Sequence, residues 1–519
     1  MLKPTFLFLY NKPIKLKDSK MKKVFTLCVA IMASVATFAQ TTLWKGEDKE
    51  LGTTTGFWND GNPEVVVNPE KDGINNSKKC LKFVMTNDSK MVKLPFREWI
   101  KPSLQGSTRV SLMIKKSQAE NIQIELSDPT DGSDGYWKKV ASNYSEEGKW
   151  QKVVFDFSNN GSFDNPGVMT ITAQTGNVEG EQDVYIDNIV IEPATKVNGK
   201  LLSEIGDNSL EGVIKLEGAW MKGKCRNAND NNSQNFEYND FTTLATKLSG
   251  KPANIDMRGC IVKDADINAM RGDNNNNILV YADEAYKADN VIYKTDNKEK
   301  PLVCANLVLD ENKSYMVNED FNAEKVTLKR SIKPGYNTMC LPFWVSRADM
   351  KAASIAKYKE TAKDQSAVTF DKVDHVDANV PFIANYNEAV TDFTFTDKGV
   401  VNTNNGLGST FVGTYTPGSA ERKYGITPNN TFQKGSTKAT TKAFRAYLEL
   451  PEGSGAKTLS LDFTDGESTG IEDATVSFGN KGVKVYSLQG NLIATASSMS
   501  ELHLNNGIYI INNKKVIIK

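Results

Sequence analysis

Residues 150–157 read W-Q-K-V-V-F-D-F and residues 184–192 read V-Y-I-D-N-I-V-I-E. In both blocks β-branched and aromatic residues alternate with polar ones, the period of a strand with one face buried. Residues 159–167 between them are rich in Gly, Asn, Asp and Pro, which is turn chemistry. The stretch therefore predicts paired strands, the second closing a β-sandwich. Working back, residues 81–85, 109–114, 122–126 and 169–173 carry the same alternation, and residues 68–77 (N-P-E-K-D-G-I-N-N-S) form a loop by composition. Residues 41–193 are expected to be one sandwich, a size usual for a single domain.

A loop N-P-x-x-x-G-x-N-x-S ahead of a strand, then G-x-W-x-x-V-x-F-D-F and Y-I-D-N-I strands, resembles the jelly-roll carbohydrate-binding modules of secreted bacterial proteins. That resemblance implies binding of a polysaccharide without turnover. Glycan recognition needs flat aromatic faces together with amide and carboxylate groups. Trp58, Trp99, Tyr136, Trp137 and Tyr144 are the candidate binding aromatics, because each lies in or beside a Gly-, Asn- or Asp-rich segment. Trp44 and Trp150 read as packed. The resemblance also implies a structural Ca2+ ion between the end of the first strand and the last, held by Glu47 or Asp48 with Asp187. Residues 128–135 (D-P-T-D-G-S-D-G) are oxygen-rich, but Lys139 stands where an EF-hand loop places its bidentate Glu, so a surface loop is the reading there.

Charge and composition exclude several classes. Lys+Arg and Asp+Glu both total 63, so there is no net field for a polyanion, and nucleic acid is not an expected partner. The two histidines, His375 and His503, lie far apart, which leaves little material for a multi-histidine metal site or a Ser-His-Asp triad. Five cysteines follow Cys28: Cys80, Cys225, Cys260, Cys304 and Cys340. None has C-x-x-C spacing, and they read as buried small hydrophobes.

A 519-residue chain is long enough for several cores. Residues 21–40 (a Met-Lys-Lys start, an apolar run, then A-T-F-A-Q) have the form of a secretory signal, with residues 1–39 an upstream extension plus signal peptide. Residues 194–209 read as a linker, and residues 210–465 as a β-rich region of short strands in which residues 347–359 alone look helical. Spacing there shows no exact repeat. The phrases G-Y-N-T-M-C-L-P-F, V-P-F-I-A-N, F-V-G-T-Y and F-R-A-Y-L resemble an uncharacterised β domain of Gram-negative surface proteins. Residues 466–474 read as a second linker. Residues 475–519, with V-K-V-Y-S-L-Q-G-N-L-I and a lysine-flanked final strand, resemble the C-terminal sorting domain of type IX secretion, which implies that machinery as a partner. From the residues alone they make two hairpins.

The expected fold class is all-β: an N-terminal jelly-roll β-sandwich, a central β-rich region and a small C-terminal β domain. The expected function is a secreted or cell-surface, non-catalytic polysaccharide-binding protein with no transmembrane segment in its mature chain. A surface adhesin or structural protein binding host protein is one alternative. A sandwich-fold glycosidase or lyase is another, although no E-x-D-x-x-E-like strand or Tyr/His/Arg cluster is present.

Overall fold

The computed structural model describes residues 41–48, 62–71, 73–95, 109–127, 138–158, 168–228, 234–262, 266–272, 277–402, 407–451 and 455–465, and the strands 483–486, 492–496, 507–511 and 514–518. The chain divides after Thr464 into two compact units. It is all-β, with two short α-helices among the described residues.

The first strands are β1 (Thr41–Trp44), β2 (Glu64–Val67), β3 (Lys79–Met85), β4 (Met91–Pro95), β5 (Arg109–Lys115), β6 (Ile122–Ser127), β7 (Lys138–Ser142), β8 (Gln151–Asp156), β9 (Val168–Thr172) and β10 (Gln182–Ile191). One sheet runs β2-β3-β10-β5-β8, with β1 also on β10; the other contains β7-β6-β9-β4. Their inward residues, among them Phe83, Leu112, Ile124, Val140, Phe155, Ile171 and Ile186, share one core. Trp44 and Trp150 are buried as their positions predict.

The sandwich does not stop at residue 193. Residues 194–209, expected as a linker, hold β11 (Lys196–Val197), β12 (Lys200–Leu201) and a 3-10 turn, and β11 pairs with β13 (Leu210–Glu217). After β14 (Ala219–Trp220), the hairpin β15 (Lys222–Asn227) and β16 (Asn235–Asn239) returns to the sandwich and extends its second sheet through Arg226↔Ala141 and Asn227↔Val140. Cys225 is part of the sandwich core, with Phe236 and Tyr238 packed on it. A pattern of alternation marks strands but not their partners, so this return was invisible in the sequence.

A second link is ionic. Arg109 on β5 reaches Asp156 on β8 (Nε–Oδ2, 2.6 Å) and makes a two-pronged contact with Asp240 (2.5 and 2.9 Å) at the start of helix α1 (Asp240–Lys247). The Tyr238 ring lies 4.6 Å from its guanidinium carbon. Burial pulls the Arg109 guanidinium down, and the two carboxylates more than offset this, holding it well above its ordinary range. Asn239 caps α1, its Oδ1 accepting from the N–H groups of Phe241 and Thr242.

Beyond this Arg109–Asp156–Asp240 clasp, residues 210–217, 248–256, 279–282 and 291–294 stack as parallel neighbours, aligning Ile214, Ile255, Val280 and Val291 in one buried row. The intervals between these residues are uneven, which is why no repeat shows in the sequence. Parallel neighbours need a crossover; the last one, residues 283–290, ends on buried Asn290 at φ 60°, whose amide clamps Val308 (Nδ2–O 2.9 Å, N–Oδ1 2.6 Å).

A further nine-stranded sheet holds residues 335–339, 354–361, 367–373, 382–386, 411–414, 424–426, 431–434, 445–448 and 458–465 around Phe370, Phe411 and Phe432. Residues 347–359 are not a helix. Ser354–Thr361 is a strand paired on both sides, with residues 367–373 and 382–386, so tertiary ladders override the helical composition of the alanines and lysines. The helices lie instead at Asp240–Lys247 and Ile267–Arg271.

In the second unit, residues 483–486 and 492–496 form one hairpin and 507–511 and 514–518 another, joined through 483–486 and 507–511 into a four-stranded sheet. Among the described residues no helix is long and apolar enough to cross a membrane. Cys80, Cys225, Cys260, Cys304 and Cys340 are free thiols, and all but Cys260 are buried.

Candidate functional site

The register of the second sandwich sheet sorts its side chains into an inner apolar face and an outer polar one. Val92, Ile171, Ile124 and Val140 lie opposite one another and point inward, each essentially inaccessible. Their strand neighbours must then point outward. One outer row is Met91, Thr172, Gln123, Ala141, Arg226 and Asn235; the next is Lys93, Thr170, Glu125 and Lys139. Adjacent strands lie about 4.8 Å apart, so the second row spans roughly 14 Å, with Lys93, Glu125 and Lys139 half-buried and Thr170 buried.

Within it, Lys139 Nζ stands 3.3 Å from Glu125 Oε2, and both side chains are half-buried. Thr170 is 4% exposed, and its Oγ1 has no hydrogen-bond partner. A buried hydroxyl without a partner is uncommon and costs free energy unless something supplies the bond. Amide, hydroxyl, carboxylate and ammonium groups together provide both donors and acceptors for a polyhydroxylated ligand.

Among the described residues of these two rows no second carboxyl group stands beside Glu125. Glycosidic cleavage uses two carboxyl groups about 5–10 Å apart. The two rows hold one carboxylate, Glu125, and it is paired with Lys139. Glu237, three strands across and four residues further along and so roughly 20 Å off, is paired with Lys224. Among the described residues there is no group of three His, Cys, Asp or Glu side chains able to hold a metal ion.

The aromatic candidates fall unevenly. Trp58, Trp99, Tyr136 and Trp137 lie outside the described residues. The segments bearing three of them are rooted together: Pro95, Ser127 and Lys138, next to residues 96–108 and 128–137, meet at one end of this sheet, where Pro95 and Ser127 both face Val168 and Lys138 faces Leu126. Tyr144 is a correction. Its ring is fully buried in the sandwich core, and its hydroxyl sits 2.8, 2.6 and 2.8 Å from the carbonyl oxygens of Lys116, Glu146 and Lys149. It closes a turn that follows β7 and presents no face to a ligand. Burial pushes its phenol above the usual range.

Asp187 is buried on β10 and is held by N–H groups: Gly46 N at 3.0 Å and Asn188 N at 2.8 Å on Oδ1, and Asn75 Nδ2 at 3.3 Å on Oδ2. A Cβ at residue 46 would lie 2.3 Å from the Lys79 carbonyl oxygen, so glycine is required for this approach. The loop motif has a matching role, since Asn68 Oδ1 and the Glu70 carbonyl take the Trp150 indole N–H at 3.1 and 2.8 Å. Glu47 accepts from the Lys78 N–H, and Asp48 lies 3.9 Å from Lys45. Asp187 is thus held by N–H donors from three segments, while Glu47 and Asp48 meet Lys78 and Lys45.

No protein-family model matches the chain, and no curated protein matches it. Solved structures to which it is similar include a carbohydrate-binding module of the β-sandwich superfamily (22% identity, 30% of this chain and 62% of that one, TM-score 0.23). Others are the xylan-binding CBM22-1 domain of Paenibacillus barcinonensis Xyn10C (14%, 30% and 96%, TM-score 0.21) and the family 11 module of Clostridium thermocellum with a mixed-linked tetrasaccharide (14%, 30% and 96%, TM-score 0.21). At TM-scores this low the likeness carries no weight beside the geometry of the chain itself.

Proposed function

We propose that this protein binds a polysaccharide without turning it over, the chain lying along the outer face of β4, β9, β6 and β7. The observation that supports this best is the aligned polar row in which half-buried Lys93, Glu125 and Lys139 stand abreast around Thr170. Trp99, Tyr136 and Trp137 enter the same proposal because their segments are rooted at one end of that face, and Trp58 because of its sequence setting. One or two sugar–aromatic stacks with a few hydrogen bonds correspond to a Kd of roughly 10 μM to 1 mM.

The test is retention of the full chain on insoluble polysaccharides. Gln123→Ala with Glu125→Ala is expected to lose retention while the melting midpoint stays within about two degrees, since half-exposed substitutions cost little stability, and Trp137→Ala, made separately, is expected to lose retention as well. Release of reducing sugar by the wild type, or full retention by both variants, overturns the proposal. Export through residues 21–40 and sorting through the last unit belong to the same reading. Deleting residues 483–519 should hold the protein in the periplasm, and unchanged surface display would remove the sorting role.

A further inference from the structure

The second region carries an aromatic surface that its own folding does not explain. Trp344 is 45% exposed and is the one exposed Phe, Trp or Tyr side chain among the described residues. It lies between buried Phe343 and Val345 with its own side chain turned to solvent. The His375 ring lies beside it, centroids 5.8 Å apart and planes 30° from parallel, and His375 is itself exposed. The indole is also held in place. Lys398 Nζ sits 5.2 Å from its ring centroid, fixed at 2.9 Å by Asp349, which in turn accepts from Ser346 N at 2.9 Å and Ser346 Oγ at 3.0 Å. Lys398 is mostly buried, so the support is part of the packed body rather than a loose surface contact.

We infer that Trp344 and His375 form a stacking platform for a neutral sugar ring, a second binding place separate from the sandwich. Resting a C–H face on a pre-set indole loses little side-chain freedom, which is where weak ligands gain most. Arg347 and Asp374 stand 3.9 Å apart beside the platform and offset each other's charge, which suits an uncharged ligand with hydroxyls. A protein partner fits poorly. The large apolar side chains exposed at this place are Trp344 and Val401, the latter tied to Pro342 through Val401 N, far short of the roughly 800 Å² per side that a stable protein interface buries. The ligand class rests on the glycan reading above, whereas the place does not.

The experiment uses the full chain, cello-, xylo-, manno- and chito-hexaose, and acrylamide quenching of indole emission. Subtracting the Trp344→Ala signal isolates the Trp344 contribution. At least one hexaose should shield that contribution, and Trp344→Ala and His375→Ala should weaken binding of that hexaose about tenfold, the effect of one ring contact, with the melting midpoint unchanged. No shielding by any of the four, or unaltered binding in Trp344→Ala, overturns the platform. If Gln123→Ala with Glu125→Ala loses binding while Trp344→Ala does not, the sandwich site stands and the platform falls. The reverse result leaves the platform standing and removes the sandwich site.

Discussion

Replacing Arg109 by Met should loosen the joint between the sandwich and the region that follows it. The guanidinium makes three short contacts, one to Asp156 and two to Asp240, and the side chains concerned are 11%, 0% and 9% exposed. Methionine keeps much of the volume but leaves two nearly buried carboxylates facing each other. Part of their need is met elsewhere: Asp156 Oδ1 takes Ser158 N at 2.8 Å, and Asp240 Oδ2 takes Met221 N at 3.1 Å. Removing one partner of a buried ion pair costs about 3–5 kcal/mol, and loss of the guanidinium from the Tyr238 face adds on the order of 1 kcal/mol. Because the clasp ties β5 and β8 to α1, its loss should also free residues 194–209.

Urea unfolding of the full chain, followed by the emission of buried Trp44, Trp150 and Trp220, measures the first effect, and limited proteolysis the second. A clear fall in midpoint with new cleavage within residues 194–209 is expected. A double-mutant cycle with Asp240→Asn should return a coupling of about 2–3 kcal/mol. A loss below about 1 kcal/mol, the value of an exposed pair, would refute the reasoning.

Three other outcomes follow from the same structure. Residues 41–193 expressed alone lack β15 and β16, and with them Cys225, Phe236 and Tyr238 of the core; they should melt well below residues 41–247, and equal midpoints would show that the hairpin is not part of the sandwich. Asp187→Ala, which removes the acceptor of Gly46, Asn75 and Asn188, should lower the midpoint by several degrees; a fall of the wild-type midpoint in chelator would put a calcium ion on Asp187, and an unchanged one would leave the N–H donors alone to hold it. Burial pushes the Glu311 carboxyl up, but Lys442 at 2.8 Å and Arg445 at 2.7 Å more than offset this and hold it below its ordinary range. A depressed carboxylate lends stability that is complete above its unfolded value, about 4.5, and is lost as pH falls through the folded one. Glu311→Gln should accordingly lower stability at pH 7 by about 3–5 kcal/mol, since it also leaves buried Arg330 without its carboxylate, and should flatten the acid limb of a stability–pH curve; a parallel limb would refute the assignment.

Much of the sandwich could be read from period-two alternation. The strands expected at residues 109–114, 122–126 and 184–191 appear as Arg109–Lys115, Ile122–Ser127 and Gln182–Ile191. The strands that were missed are short or lack alternation: E-V-V-V in β2, M-V-K-L-P in β4 and K-K-V-A-S in β7. Residues 347–359 misled because alanine, methionine and lysine favour a helix in isolation, while ladders to residues 367–373 and 382–386 decide the matter. The joining of the two regions could not be read at all. Arg109 lies 47 residues from Asp156 and 131 from Asp240, and no local pattern connects residues so far apart.

The candidate site was legible in kind rather than in place. Aromatics in Gly- and Asn-rich segments pointed to recognition, yet Tyr144 shared that setting and proved to be core, because a tyrosine ring can fill a sandwich while its hydroxyl serves turn carbonyls. Gln123, Glu125, Thr170 and Thr172 are ordinary outward residues in sequence. Only strand register makes them a surface, by bringing Lys93, Thr170, Glu125 and Lys139 abreast. Trp344 was different, since its signal lay in L-P-F-W-V itself: Phe343 and Val345 are buried, and the tryptophan between them turns to solvent. A large indole gains stability for a fold chiefly by being buried. One that is held rigidly by Lys398 and still left open to water contributes little to folding, and its placement is better explained by a ligand whose face it meets.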